Sequence, residues 1–308
     1  MAAKILDGKV IAQQMREELK AAAAQLKAQG VTPGLAVLLV GDNPASRSYV
    51  SAKEKACAEA GMHSEEVRLP ATATQAQILA VVQRFNLDPR IHGILVQLPL
   101  PDGAMEPAVI AMIDPAKDVD GFHPISVGRM MLGLPTFLPC TPHGILHILK
   151  RSGIRIDGAH VVVVGRSNIV GRPLANLLSQ KSELGNATVT MCHTRTRDLA
   201  KHTLQADIVI AAAGRTHTIT AEMVRAGAVV IDVGVNRVPD PAAKSGYRLI
   251  GDVDFDAVKE KAAAITPVPG GVGPMTITML LFNTLESARR AAARRTAAGA
   301  QGDWLARP

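Results

Sequence analysis

Short apolar runs alternate along most of the chain with longer stretches in which apolar residues recur every three or four positions. The runs lie at 35–40, 93–98, 161–164, 188–192, 208–213 and 229–233, and largely apolar segments of this length suit strands buried on both faces. The periodic stretches predict helices over 10–29, 44–61, 75–85, 144–152, 171–178 and 220–226 and from about Met275, with a further strand near Val67. The first of these is apolar at Ile11, Met15, Leu19 and Leu26 and stops at Gly30. Such alternation predicts parallel sheets with crossover helices. Between Pro99 and Pro142 eight prolines and several glycines leave no long periodic segment, which marks an ordered loop region or a domain seam. A second alternating set follows. The expected fold is therefore α/β: two α/β domains, the second a doubly wound, Rossmann-like dinucleotide-binding domain, with a cleft between them. The last dozen residues, rich in Ala, Arg and Gly, are expected to lack order.

Composition narrows the function classes. At 308 residues, 47% apolar but 3% aromatic, the core must be built from Ala, Val, Ile and Leu. No apolar run reaches the roughly 18 to 20 residues of a membrane span, and the charged, amphipathic N-terminus reads as that of a soluble protein without a secretion signal. Cys57, Cys140 and Cys192 are far apart and lack metal-ligand spacing, so they are expected as reduced core thiols, and no metal site is expected. The net charge is +7, but the segment from Arg289 onward holds five arginines against Asp303, and removing its net +4 leaves about +3 for the rest. No basic stripe interleaved with aromatics exists, so a nucleic-acid partner is not expected.

Candidate chemistry sits in six segments. Tyr49 and Lys53 are one helical turn apart and share a face, where a flat ring can cover a planar substrate beside an amine that moves a proton. On spacing alone the pair fits better a surface lysine beside a half-buried tyrosine. Gln97 puts a polar amide at the carboxyl end of an apolar strand, where open α/β sheets hold ligands; it can bond Lys53 or merely cap a loop. Asp118 and Asp120 lie two apart in the proline-rich seam. A carboxylate there can grip an amino-pyrimidine edge, and Asp before Gly is also a common turn. The segment Val161 to Pro173, with Gly165, Arg166, Ser167 and Gly171, gives a strand, a glycine turn and a helix start in dinucleotide-fold order, although Ser167 stands at the second glycine position of the usual fingerprint. The next strand ends in His193-Thr194-Arg195-Thr196, with no acid until Asp198. An acid there would accept ribose hydroxyls and repel a 2′-phosphate, whereas Arg166 can bind one, so NADP is expected over NAD. Finally, the segment from Thr266 to Thr276 packs three glycines and three prolines ahead of an apolar helix, a slim, rigid loop that lets a flat ligand approach backbone.

Taken jointly, Tyr49-Val-Ser-Ala-Lys53, Val96-Gln97-Leu98-Pro99, Lys117-Asp118-Val119-Asp120-Gly121-Phe122, Pro139-Cys140-Thr141-Pro142, Gly165 through Gly171 and Pro269-Gly270-Gly271-Val272-Gly273-Pro274-Met275-Thr276 resemble the bifunctional methylenetetrahydrofolate dehydrogenase/cyclohydrolase family across about residues 3–290. The resemblance implies two reactions in one cleft: NADP+-dependent oxidation of methylenetetrahydrofolate to methenyltetrahydrofolate, then hydrolysis to 10-formyltetrahydrofolate. It implies Lys53 as the proton-transferring group, Tyr49 as the residue that stacks on the folate, Gln97 as the group that tunes Lys53, and Asp120 as a pterin ligand. Val96, Leu98, Pro269, Gly270, Gly271, Val272 and Gly273 would line the substrate pocket. Gly165, Arg166, Ser167 and Thr194 would surround the cofactor phosphates, with Val235 near its adenosine or nicotinamide-ribose portion. The implied domains are 1–140 plus 272–296 for folate and catalysis, and 141–271 for NADP, in a cytoplasmic homodimer.

The chain departs from the family pattern at Ser126, where Asn is usual, which bears on hydrogen bonding there, and in what reads as a small insertion at 181–186. Fold alone never fixes a substrate. A different two-domain NADP dehydrogenase, or a non-catalytic folate- or nucleotide-binding regulator, would share the grammar without requiring the Tyr49, Lys53 and Gln97 set.

Overall fold

The computed structural model describes residues 2–243 and 246–305, of which 45 and 296–305 are described by backbone alone. In chain order the elements are β1 (Lys4–Ile5), α1 (Gly8–Ala28), β2 (Gly34–Val40), α2 (Pro44–Glu59), β3 (His63–Leu69), α3 (Gln75–Leu87), β4 (Gly93–Val96), α4 (Glu106–Met112), α5 (Pro124–Met131) and α6 (Cys140–Arg151). There follow β5 (His160–Val164), α7 (Gly171–Ser179), β6 (Thr188–Cys192), α8 (Leu199–Thr203), β7 (Ile208–Ala211), β8 (Val229–Asp232), β9 (Asn236–Pro239), β10 (Tyr247–Ile250), α9 (Phe255–Val258), β11 (Ala264–Ile265) and α10 (Val272–Leu305). They divide into two α/β units, one of Met1–Gln13, Met130–Leu134 and Pro139–Thr276, the other of Gln14–Arg129, Pro135–Leu138 and Ile277–Pro308.

The second of these units is built on a parallel sheet in the order β3-β2-β4. Every residue of β2 is buried, as its unbroken apolar run requires of a central strand covered on both faces. Leu38 and Val40 pack with Ile78, Val82 and Phe85 of α3 and with Ile94 and Val96 of β4. The start of α3 is set by a capping box: Thr74 Oγ1 accepts the Gln77 N–H at 3.3 Å while Gln77 Oε1 accepts the Thr74 N–H at 2.9 Å. Its end is closed by Lys117, whose Nζ donates to the carbonyls of Phe85, Asn86 and Asp88 at 3.0, 2.8 and 2.8 Å, a cation on the electronegative end of the helix.

The other unit carries a six-stranded parallel sheet in the order β1-β11-β8-β7-β5-β6. From β5 the chain steps outward to β6, then returns to the opposite side of β5 for β7 and β8. This is the doubly wound arrangement, with its switch point between β5 and β7. Val162, Val164, Val209, Ala211 and Val230 form part of its core. Strands β9 and β10 pair antiparallel as a separate ribbon.

Several expectations need correction. The helix expected over 220–226 is one 3₁₀ turn, Ala221–Met223, with no side-chain cap at Thr220. Two successive backbone bonds close it, Met223 N–H to Thr220 and Val224 N–H to Ala221, and Gly227 at φ +81° lies beyond. The first thirteen residues group with the six-stranded unit, because β1 pairs with β11 through Lys4 opposite Ala264 and Ile5 opposite Ile265. The last helix starts at Val272, three residues earlier than expected, and the proline-rich seam holds two short helices, α4 and α5. The disorder expected of 297–308 falls on residues that lie outside those fully described. Among the described residues no helix is long and apolar enough to cross a membrane.

Because Leu38 is wholly buried in the middle strand, Leu38→Ala is expected to destabilise the protein by about 2 to 5 kcal/mol through lost transfer energy and a residual cavity. Chemical denaturation of the variant beside wild type measures it, and a loss under about 1 kcal/mol would contradict this account of the core.

Candidate active site

Helix α2 turns Val50, Ala56 and Cys57 inward, and Lys53 lies among the buried residues at 8% exposure while Tyr49, one turn earlier, is 43% exposed. A buried lysine is costly unless its donors find acceptors. Lys53 Nζ donates to Gln97 Oε1 at 2.9 Å. Gln97 is held on two further sides: its backbone N–H donates to the Leu38 carbonyl at 2.9 Å, and its Nε2 to the Leu98 carbonyl at 2.8 Å. Since an ammonium group only donates and a carbonyl only accepts, these partners fix which way the amide faces. Val96 is buried and Leu98 partly so, and the Leu98–Pro99 bond is cis. Lys53 and Gln97 thus meet at the carboxyl end of β4, where open α/β sheets present ligands.

The two acids of the seam separate in role. Asp118, 1% exposed, is a turn organiser: its Oδ1 accepts the Phe122 N–H at 3.2 Å and its Oδ2 the His123 N–H at 2.9 Å, around Gly121 at φ +74°. Asp120 is half-buried. Ser126, in α5, is buried with its Oγ making no hydrogen bond among the described residues.

The glycine-rich segment belongs to the six-stranded unit. Pro269 and Gly273 are exposed, and Gly270, Gly271 and Val272 buried. The Gly270 carbonyl accepts the Lys9 N–H at 3.1 Å. A Cβ on Gly8 would stand 1.7 Å from the Gly271 carbonyl oxygen, so this loop lies directly on the first turn of α1. The density of glycine here is a packing requirement as well as a means of ligand approach.

At the switch point, Gly165 follows β5 and Gly171 opens α7. A Cβ on Gly171 would stand 2.2 Å from the Gly165 carbonyl oxygen, and one on Gly165 2.1 Å from that of Ala212. Such a close cradle leaves room for backbone only, the steric condition for a pyrophosphate to reach backbone N–H groups at a helix start. Ser167 Oγ accepts the N–H groups of Val170 and Gly171 at 3.1 and 3.4 Å, closing the turn that the missing second glycine would otherwise shape. Arg166 and Ser167 are exposed. After β6, the His193 N–H donates to Thr196 Oγ1 at 2.9 Å and the Arg195 N–H to His193 Nδ1 at 3.1 Å, leaving Thr194 and Arg195 exposed at the tip. Asp198, the first acid beyond, is left-handed at φ +50° and caps α8. This turn therefore offers a phosphate no competing carboxylate, and the residues present suit NADP. Val235, after β8, is 47% exposed.

Two surface cavities, of about 530 and 350 Å³, share Pro89, His92 and Arg295 and contain none of the expected site residues. No group of three or more metal-binding side chains is found among the described residues. The three cysteines are free and buried, and burial pushes the Cys57 thiol up to about 12. The sequence reading passed over two buried acids at the end of the six-stranded sheet, Asp232 and Asp252. Their only sign in the sequence is that the same three residue types recur in Asp232-Val-Gly and Gly251-Asp-Val.

Known proteins match this arrangement across the chain. The family model described as "Tetrahydrofolate dehydrogenase/cyclohydrolase, catalytic domain" matches residues 6–120, and its "NAD(P)-binding domain" counterpart residues 139–292. A relative from Syntrophus aciditrophicus named "Bifunctional protein FolD" is 59% identical, covering 95% of this chain and 99% of its own; the protein of that name from Bacillus subtilis is 55% identical, covering 94% and 99%. Among solved structures, the bifunctional methylenetetrahydrofolate dehydrogenase/cyclohydrolase of Campylobacter jejuni is 49% identical with a TM-score of 0.88. That of Trypanosoma brucei, complexed with NADP cofactor and inhibitor, is 40% identical with a TM-score of 0.90, and each covers 94% of this chain and 99% of its own. The chain belongs to the tetrahydrofolate dehydrogenase/cyclohydrolase family.

Proposed function

We infer that this protein oxidises 5,10-methylenetetrahydrofolate to 5,10-methenyltetrahydrofolate with NADP+ and hydrolyses that cation to 10-formyltetrahydrofolate. The observation that carries the reading is the buried Lys53 amine, bonded to Gln97 at the carboxyl end of β4, in a chain that also holds a dinucleotide turn without a competing acid.

When bound, NADP+ supplies the hydride acceptor for the first step. Arg166, Ser167 and Thr194 hold its phosphates, with Gly165 giving backbone access and Val235 flanking its adenosine or nicotinamide-ribose portion. Positioning of the two reactants supplies much of the rate. For hydrolysis, water adds to the carbon between N5 and N10 and the Lys53 amine takes up the proton that water loses; the same group returns that proton to N5 as the bond from N5 to the carbon breaks, while the hydroxyl on the carbon gives its proton to solvent and becomes the formyl C=O. One amine can serve both halves because each needs it in the opposite state. Gln97 orients Lys53, Tyr49 stacks on the pterin, and Asp120 accepts from its amino edge. Val96 and Leu98 line the folate pocket, and the slim Pro269 to Gly273 segment lets a flat ligand approach backbone. The same reading takes in a cytoplasmic homodimer with no nucleic-acid partner, supported by the family resemblance, the three free thiols and the lack of a basic, aromatic stripe.

Lys53→Met is expected to lower hydrolysis of supplied methenyltetrahydrofolate by about 10²-fold or more while folate binding remains measurable by calorimetry; undiminished hydrolysis would remove Lys53 from the mechanism. Arg166→Ala is expected to raise the KM for NADP+ about tenfold or more, the scale of one charge-assisted contact, with little change in the KM for NAD+. Steady-state kinetics with both cofactors measure this, and an equal effect on the two would mean that Arg166 does not read the 2′-phosphate.

A further inference from the structure

Asp232 ends β8 and is 2% exposed; Asp252, after β10, is 0% exposed. Two buried carboxylates so close together are costly, and the fold keeps them only by surrounding them with donors. Asp252 Oδ2 accepts the N–H groups of Ala213 and Gly214 at 2.7 and 2.8 Å, and its Oδ1 accepts from Asn236 Nδ2 at 2.9 Å. Asp232 Oδ1 accepts the N–H groups of Gly234 and of Asp252 itself at 3.0 and 2.9 Å, and Oδ2 that of Val253 at 3.0 Å. Neither carboxylate has an ion pair among the described residues. Burial pushes the Asp232 carboxyl up to about 6 against the pull of its three backbone donors.

The glycines beside them are fixed by this packing. A Cβ on Gly234 would stand 2.2 Å from Asp252 Oδ1, and one on Gly251 1.7 Å from Asp232 Oδ2, so each carboxylate occupies the space of the other segment's missing side chain. Neither glycine adopts a positive φ; close approach alone excludes a side chain.

The segments so tied are those that follow β7 and β8. The turn gripped by Asp252 begins at Ala212, whose carbonyl is the surface on which Gly165 packs. The segment gripped by Asp232 leads through Gly234 into Val235. We propose that Asp232 and Asp252 are positioning residues of the NADP site: two interlocked carboxylate clamps that hold the loops after β7 and β8, at the switch point of the sheet, in the form that accepts the dinucleotide. The proposal deepens the functional reading above and rests on it. A turn needed only for folding could be closed by neutral side chains; acceptors of full charge give shorter, stronger bonds to backbone N–H groups and so a loop that does not reorganise as the cofactor arrives.

The test is Asp252→Asn and Asp232→Asn, each nearly isosteric and each replacing one acceptor oxygen with an NH₂ group that meets N–H donors. NADP+ binding is measured by calorimetry, and the rates of methylenetetrahydrofolate oxidation and of methenyltetrahydrofolate hydrolysis are measured on the same preparations. Weakening of NADP+ binding by about tenfold or more, with the dehydrogenase to cyclohydrolase ratio falling by a similar factor, is expected. Should the Asn variants not fold, Gly234→Ala displaces Asp252 from the other side and is expected to act in the same direction. Binding of NADP+ weakened less than tenfold, or both activities falling together with the melting temperature, would overturn the proposal by leaving the pair a purely structural role. A wild-type protein that binds no NADP+ would instead overturn the functional reading, and this inference with it.

Discussion

One hydrogen bond sets the terms for the rest of the site: Lys53 Nζ to Gln97 Oε1 at 2.9 Å. An amine on the third turn of α2 that reached water would be an ordinary surface lysine. Buried against a strand end, it needs an acceptor for its donors, and the Gln97 amide carbonyl supplies one. The amide must in turn be kept from rotating, and the bond from its Nε2 to the Leu98 carbonyl does so. The chain of cause runs from the buried run of β2, which fixes Leu38, through the Gln97 backbone bond to Leu38, to the position of the Lys53 amine.

The dinucleotide side depends on close packing of a different kind. At Gly165, Gly171, Gly234 and Gly251 the space that a Cβ would fill is already taken by a carbonyl or a carboxylate oxygen. These glycines let backbone segments from successive strand ends lie against one another, so that the loops at the switch point act as one surface. Ser167 performs for its turn, through two backbone N–H groups, what a second glycine performs in the commoner fingerprint. Asp198, the acid nearest the tip of the loop after β6, is occupied as a helix cap.

Most of this architecture was legible because buried parallel strands write themselves as unbroken apolar runs. The strand at 188–192 matches its expected bounds, and those at 161–164 and 35–40 differ by one residue. What was not legible is what leaves no period. Strand β1 is two residues long and is defined only by its distant partner β11. Strands β9 and β10 hold only half-buried and exposed positions, with polar residues among them, and α8 follows a left-handed aspartate that reads as loop. The stretch at 220–226 had a helical pattern but no cap, and tertiary context kept only one turn of it. Of the candidate site, the pairing of Lys53 with Gln97 was readable from face and strand-end position. That Asp118 organises the turn was not, because turn-making and ligand-binding acids share the same local sequence. Asp232 and Asp252 escaped notice because their partners, backbone N–H groups and the Asn236 side chain, are scattered over forty residues, a pattern that no spacing rule encodes.

The claim at the centre is that one chain both oxidises and hydrolyses the same one-carbon unit. Following NADPH and methenyltetrahydrofolate together in a single reaction, with methylenetetrahydrofolate and NADP+ supplied to purified protein, tests it most directly. The account predicts that NADPH accumulates with an equal amount of 10-formyltetrahydrofolate while methenyltetrahydrofolate stays well below both. Methenyltetrahydrofolate rising one for one with NADPH, or no NADPH at all, would contradict it.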